Sequence, residues 1–225
     1  MILTREQKKW GLITGCSIVL MAFLAGVTYE GIHLNFYVVG DFVKTAKLVE
    51  ANVNLYKVEI VLWLGIVLLD VLVSIGIYKI YKTTQKQFAL LALFLRLIYS
   101  FVLFVAVIEL ALPLLLENEL PYISLYFNMF EKIWSLGLII FGLHLIVLGI
   151  IVYRSLVGSK FWGAFLVFGG VCYMLVHTLK SYFPNLGEIN GQIEAVLMIP
   201  MALSEIGFSV WLIVMFFKEK NETQL

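Results

Sequence analysis

The charged residues of this sequence are gathered into short clusters, and the stretches between the clusters are apolar. Several stretches run for roughly twenty residues or more, which at ~1.5 Å per residue is enough to cross a hydrocarbon core of ~30 Å. Composition agrees: 62% of the residues are apolar and 14% are charged, whereas soluble domains average about 45–50% and 25%. We therefore predict an all-α integral membrane protein, a bundle of about six transmembrane helices. The predicted spans are residues 10–29, 58–81, 88–116, 133–153, 161–182 and 194–217.

The distribution of Lys and Arg predicts the orientation of the bundle. The larger basic set flanks the spans on one side and consists of Arg5, Lys8, Lys9, Lys79, Lys82, Lys86, Arg154, Lys160, Lys218 and Lys220. The smaller set, on the other side, consists of Lys44, Lys47, Lys57, Lys132 and Lys180. Because cytoplasmic loops carry the excess of Lys and Arg, we predict a multi-pass protein of the plasma membrane with both termini cytoplasmic. We expect an uncleaved first helix and a single polytopic domain over residues 1–225.

The sizeable loops all fall on the side with fewer basic residues. They are predicted at residues 30–57, 117–132 and 181–192. Acidic residues gather there too, namely Asp41, Glu50, Glu117, Glu119, Glu131 and Glu188. The first of these loops is expected to be either a short helix on the bilayer surface or a partly ordered connector.

Several function classes are disfavoured by the sequence. A net charge of +1 removes the electrostatic case for a nucleic-acid partner. Cys16 and Cys172 lie in apolar segments without a metal-binding C-x-x-C pattern, and no common hydrolase or nucleotide-binding motif occurs. The histidines sit on different segments at different depths, which argues against a bis-histidine haem. We expect no cofactor and no metal.

Ionisable side chains inside the predicted spans are the strongest indication of a site. Each costs roughly 2.5–3.5 kcal/mol near the bilayer centre, so each needs a partner, water or a function. Counting from the cytoplasmic end of each span places four of them on the order of 12–20 Å deep: Asp70, Arg96, His144 and Glu205. We predict that these four form one ligand-binding layer, in which Arg96 bonds a carboxylate and His144 bridges or stays neutral. The alternative is that they only fix the helix register.

A second, outer polar layer is predicted from Glu30, His33, Glu109 and His177. Glu109 follows Arg96 by thirteen positions, which places it on nearly the opposite helix face and ~20 Å away. The two layers are therefore expected to be separate. The alternatives are that His177 is a structural hydrogen-bonding residue and that Glu30, His33 and Glu109 reach the outer interface.

The order of several segments resembles a known family. These segments are Gly40-Asp41 followed by Thr45, the second span with Asp70, Leu-Arg-Leu-Ile-Tyr at 95–99, Phe-Gly-Leu-His-Leu-Ile-Val-Leu-Gly at 141–149, and Ser-Glu-Ile-Gly at 204–207 before Trp211-Leu212. In this order they resemble the bacterial six-helix membrane family catalogued as domain of unknown function 4386. The resemblance covers nearly the whole chain and implies the six-helix topology. It implies no activity.

Function is therefore expected from the polar layer. We expect a protein that binds or moves a small lipophilic or weakly charged ligand through a polar intramembrane pocket, with the lipid bilayer as its other partner. A rival hypothesis is an intramembrane enzyme in which His144 is the acid or base and Asp70 or Glu205 orients it. A third is a structural or regulatory membrane subunit. The sequence does not determine the oligomeric state.

Overall fold

The structure, a computed structural model, describes residues 4–116, 122–156 and 158–222. These residues are helical with no β-strand, and six helices are long and apolar enough to cross a membrane, which confirms the predicted fold class. The helices are α1 (Arg5–Thr28), α2 (Leu34–Phe36), α3 (Phe42–Ala51), α4 (Val53–Tyr81), α5 (Lys86–Leu115), α6 (Ile123–Arg154), α7 (Lys160–Tyr182) and α8 (Gly187–Glu222). Glu117 and Glu119 lie outside the described residues, as do the side chains of Lys218 and Lys220.

The six long helices form a closed ring in which each helix packs against two others. The order around the ring is α1, α4, α5, α6, α7, α8 and back to α1. We call the end at which α1 begins the basic end and the end that carries α2 and α3 the loop end. Gln7 donates a hydrogen bond to the Ile80 carbonyl at 2.9 Å, which joins the start of α1 to the end of α4. The chain runs between the two ends of the ring six times, so both ends of the described chain lie at the basic end.

Three helices extend further toward the loop end than the sequence predicts. Helix α4 begins at Val53, α6 at Ile123 and α8 at Gly187, so most of the residues predicted as large loops are helical. The predicted start of α6 at residue 133 was wrong because the charged residue Glu131 was taken to lie outside the span. Glu131 instead turns into the bundle and contacts a histidine, and a charge that is paired inside the bundle does not end a helix.

The segment before α4 is ordered by Gly40, Asp41 and Thr45. Gly40 adopts a φ of 81°, a left-handed conformation that favours glycine. Asp41 then caps α3 by accepting a hydrogen bond from the Lys44 amide at 2.9 Å. The Thr45 hydroxyl donates to the Asp41 carbonyl at 3.0 Å. Of the two expectations for this segment, the structure has the short helix.

Helices α6 and α7 approach each other most closely at glycines. A Cβ atom at Gly170 would lie 2.5 Å from the Gly142 carbonyl oxygen, and one at Gly142 would lie 2.6 Å from the Gly170 oxygen. Small residues permit this approach between membrane helices. The contact fixes α7 beside the polar face of α6.

Candidate functional site

The ion pair at the centre of the ring joins α4 to α5. Arg96 approaches a single oxygen of Asp70: its Nε lies 2.8 Å and its Nη2 2.6 Å from Oδ1. Both side chains are 1% exposed. A charge of either sign is costly inside a membrane, so each partner makes the other tolerable. The predicted guanidinium–carboxylate pair is therefore present.

His144 of α6 is the second partner of Arg96. The Nδ1 atom of His144 lies 2.9 Å from the Ala92 carbonyl oxygen, and Nε2 lies 3.3 Å from Arg96 Nη1. A carbonyl oxygen only accepts and a guanidinium only donates, so Nδ1 carries the hydrogen and Nε2 accepts. His144 is thereby the neutral Nδ1–H tautomer. The Arg96 guanidinium also lies 5.1 Å from the centre of the Phe141 ring, within range of a cation–π contact.

Glu205 of α8 makes a separate contact. Its Oε1 accepts a hydrogen bond from the Tyr173 hydroxyl of α7 at 2.7 Å, and it is not hydrogen-bonded to Arg96. Of the four predicted residues, the structure thus links Asp70, Arg96 and His144 directly. Glu205 joins them only by facing the same cavity as Asp70.

This cavity, inside the ring, has a volume of about 250 Å³. All six long helices contribute to its wall. Asp70 and Glu205 are its acidic residues, and most of the rest is aromatic or aliphatic. Its aromatic residues are Trp63, Tyr99, Trp134, Phe141 and Tyr173. Arg96 and His144 lie behind the wall and do not line the cavity.

Three polar atoms of residues that line the cavity lack hydrogen-bond partners. They are Oδ2 of Asp70 and the indole Nε1 atoms of Trp63 and Trp134, and Asp70 and Trp63 are both 1% exposed. A buried polar atom without a partner is destabilising, so such atoms in a cavity wall indicate a ligand or water. The layer also has more acidic than basic groups, because the carboxyl groups of Asp70 and Glu205 share one nearby guanidinium, that of Arg96, which contacts only Asp70. The cavity therefore favours a ligand that brings a hydrogen-bond donor or a positive charge for the carboxyl groups and an acceptor for the indole N–H groups.

The residues of the predicted outer layer are not brought together. His33 lies between two carboxylates: its Nδ1 is 2.6 Å from Glu59 Oε1, and its Nε2 is 3.2 Å from Glu131 Oε1. His177 is elsewhere, with its Nδ1 3.0 Å from the Ser135 hydroxyl, as expected of a structural hydrogen-bonding residue.

The two acidic members of that layer lie apart from both histidines. Glu30 is exposed and Glu109 is half-buried. Neither forms an ion pair with a described residue. Both can therefore reach the interface, which was the alternative expectation for them.

The sequence analysis did not assign a site role to Glu59, Glu131 or Tyr173. Glu59 lies four positions before Trp63 and eleven before Asp70, which places the three residues on one face of α4. That spacing was a usable signal for Glu59. Tyr173 and Glu131 carried no such signal, because each acquires its role from a contact with a different helix.

Comparison with known proteins gives the family. The family described as "Domain of unknown function (DUF4386)" matches residues 13–215, so the chain belongs to it, as the sequence resemblance implied. A protein of Archaeoglobus fulgidus named "Uncharacterized protein" is 25% identical over 151 residues, which cover 66% of this chain and 78% of that protein. No solved structure matches.

Proposed function

We propose that this member of the DUF4386 family binds a small lipophilic amine in the cavity between Asp70 and Glu205. The observation that carries the proposal is the pairing of an aromatic cavity with two carboxylates, of which Arg96 neutralises one. An ammonium group beside Glu205 supplies the missing positive charge and can donate to the free oxygen of Asp70. The surrounding aromatic rings favour a cation over their faces.

The size of the cavity supports a small ligand. An apolar protein cavity of roughly 150 Å³ accommodates benzene, so about 250 Å³ accommodates a somewhat larger molecule. Most of the wall contacts the apolar body of the ligand, and the two carboxylates contact its polar head. This division between many apolar contacts and few polar ones is typical of small-molecule sites.

The part of the cavity wall that α1 and α8 form supports entry of the ligand into the cavity from the bilayer. On α8, Ala202 is exposed and Ile206 is 39% exposed, although both line the cavity. On α1, Ala22 and Ala25 are half-buried at the same cavity. Small side chains between two helices leave room for an apolar molecule that is dissolved in the membrane.

The neutral tautomer of His144 supports binding over catalysis. Both ring nitrogens of His144 already have partners, and the ring is fully buried behind the cavity wall. A general acid or base must reach the reacting atom. Binding is also supported over transport through a broken helix, because α8 continues through Pro200 without interruption.

We also propose that the protein lies in the cytoplasmic membrane of a bacterium, with both termini in the cytoplasm. The excess of Lys and Arg at the basic end supports this orientation.

Mass spectrometry of small molecules that copurify with the protein tests the proposal. We expect an amine of low molecular mass from the wild type and much less of it from Ala202→Leu, which fills the cavity without changing a charge. The matched control is Ala195→Leu, seven positions earlier on α8, exposed and outside the cavity. Equal amounts of amine from all three proteins would count against the site, and an anionic or neutral molecule in place of an amine would count against the ligand class.

A further inference from the structure

A second buried ionisable cluster lies near the loop end, outside the proposed ligand site. It consists of His33, Glu59 and Glu131, which come from the end of the first span, α4 and α6. The side chains of His33 and Glu59 are fully buried, whereas that of Glu131 is 23% exposed. The second oxygen of Glu59, Oε2, has no hydrogen-bond partner. The cluster thus has one member at the surface of the bundle and one end inside it.

A change of helix type places His33 in this position. After Thr28 the first span continues as a π-helix over Tyr29–His33. Inserted π-turns are rare and occur frequently at functional sites. The imidazole ring is then held between aromatic side chains, with its centre 4.9 Å from that of Phe127 and 5.0 Å from that of Phe130. The two phenyl rings keep water away from the imidazole and fix the orientation of the imidazole.

The protons of the His33 cluster can be distributed in two ways. Nδ1 of His33 is hydrogen-bonded to Glu59 Oε1 at 2.6 Å, whereas Nε2 lies 3.2 Å from Glu131 Oε1 without the geometry of a hydrogen bond. A nitrogen lone pair and a carboxylate oxygen repel each other at these distances, so both contacts favour a hydrogen on the ring nitrogen. An imidazolium between two carboxylates avoids this repulsion, and so does a neutral imidazole with one protonated carboxyl group. The two forms have the same number of protons and differ only in where one proton resides. Histidine suits such transfer because its two nitrogens can accept and release a proton on opposite sides.

We propose that Glu131, His33 and Glu59 form a proton relay that runs from the loop end of the bundle to the wall of the cavity. A proton on Glu131 passes to Nε2 of His33, and the Nδ1 proton passes to Glu59. Glu131 is left as the carboxylate, His33 as the neutral Nε2–H tautomer and Glu59 as the carboxylic acid. Chains of Asp, Glu and His inside membrane proteins typically serve this purpose.

The inner end of the relay is adjacent to the cavity along α4. Trp63 lies one helical turn from Glu59, and Asp70 lies two further turns along the same face. Trp63 lines the cavity and packs against Phe130, with ring centres 5.1 Å apart. Protonation of Glu59 removes a negative charge one turn from the cavity, so it is expected to weaken amine binding. That coupling rests on the proposed function, whereas the relay itself does not.

Other titratable groups surround the cluster and modify its charge. They are Tyr29 and Glu30 on the first span, Tyr37 after α2, Tyr56 on α4, His177 and Lys180 on α7, and Glu194 on α8. Lys180 and Glu194 are 2.9 Å apart and largely neutralise each other. The Tyr56 hydroxyl donates to the Leu110 carbonyl oxygen. None of these groups lies between His33 and its two carboxylates.

Infrared difference spectroscopy of the purified full-length protein, recorded as pH is changed without added ligand, tests the relay. We expect a carboxylic C=O band from a buried glutamic acid that appears as pH falls and is absent from Glu59→Gln. The matched control is Glu109→Gln, which removes a half-buried glutamate of α5 and should leave the band unchanged. Asp70 and Glu205 can contribute carboxylic bands of their own, so the comparison is the difference between the wild-type and Glu59→Gln spectra. The proposal is overturned if Glu59→Gln loses no carboxylic component that the wild type shows.

Glu131→Gln provides a second test, which does not depend on replacing a fully buried carboxylate. Monodisperse elution in detergent first establishes that this variant is folded. After transfer to deuterated buffer, we expect the Glu59 band to shift severalfold more slowly in Glu131→Gln than in the wild type, because the solvent-side group is lost. Equal exchange rates would overturn the relay. Neither spectroscopic result depends on whether the cavity binds an amine, so failure of the relay and failure of the proposed function are distinguishable.

Discussion

Arg96 contacts Asp70 through one carboxylate oxygen only. Its Nε and Nη2 atoms both approach Oδ1, at 2.8 and 2.6 Å, while Oδ2 has no hydrogen-bond partner. A symmetric fork would use both oxygens and leave neither wholly free for a ligand. The one-sided contact neutralises Asp70 and keeps one of its acceptor atoms free beside the cavity.

Replacement of Arg96 should destabilise the bundle strongly. Arg96→Met leaves the Asp70 carboxylate buried without a countercharge and removes the donor to His144, at a cost of about 3–5 kcal/mol in the free energy of unfolding. Equilibrium unfolding in mixed micelles measures this cost. The control is Arg154→Met, an exposed arginine at the basic end, which should change the unfolding free energy little. A small effect at low pH would indicate that Asp70 takes up a proton when unpaired.

His144 is expected to be structural. His144→Leu removes the acceptor for Arg96 Nη1 and should lower the free energy of unfolding by about 1–3 kcal/mol, because the guanidinium N–H stays buried and unpaired. Ligand affinity, measured at a temperature where the variant is folded, should change little. A variant as stable as the wild type that has lost ligand binding would reverse this assignment.

Arg96 and Glu109 should be energetically independent. They lie thirteen positions apart on α5, about 20 Å along the helix axis and on nearly opposite faces. A double-mutant cycle with Arg96→Lys and Glu109→Gln should give a coupling energy below about 0.5 kcal/mol. A coupling above about 1 kcal/mol would contradict the separation of the two residues.

The orientation can be tested with single cysteines at the two ends of the bundle. In a background without Cys16 and Cys172, an impermeant thiol reagent added outside intact cells should label Asn185→Cys at the loop end. It should not label Lys82→Cys or Gly158→Cys at the basic end until the membrane is permeabilised. The opposite pattern would invert the predicted topology.

The sequence predicts the number of spans and identifies ionisable residues within them, because both depend on local physical rules. Apolar length determines which segments cross a membrane, and the cost of a buried charge marks Asp70, Arg96 and Glu205 as exceptional. The sequence does not predict that Arg96 bonds Asp70 rather than Glu205, because that choice depends on the order of helices around the ring. The position of His33 was also unpredictable, since its π-helical turn changes the helical phase on which depth and face are counted.

A titration of the purified protein with a lipophilic amine and with the alcohol of the same carbon skeleton tests the central claim most directly. Quenching of tryptophan fluorescence follows binding, because Trp63 and Trp134 line the cavity. We expect the wild type to bind the amine about tenfold or more tightly than the alcohol, and we expect Glu205→Gln to lose most of this preference while keeping the hydrogen bond from Tyr173. If the wild type binds the two molecules equally, or if Glu205→Gln retains the full preference, the cavity does not recognise a cation and the proposed function is wrong.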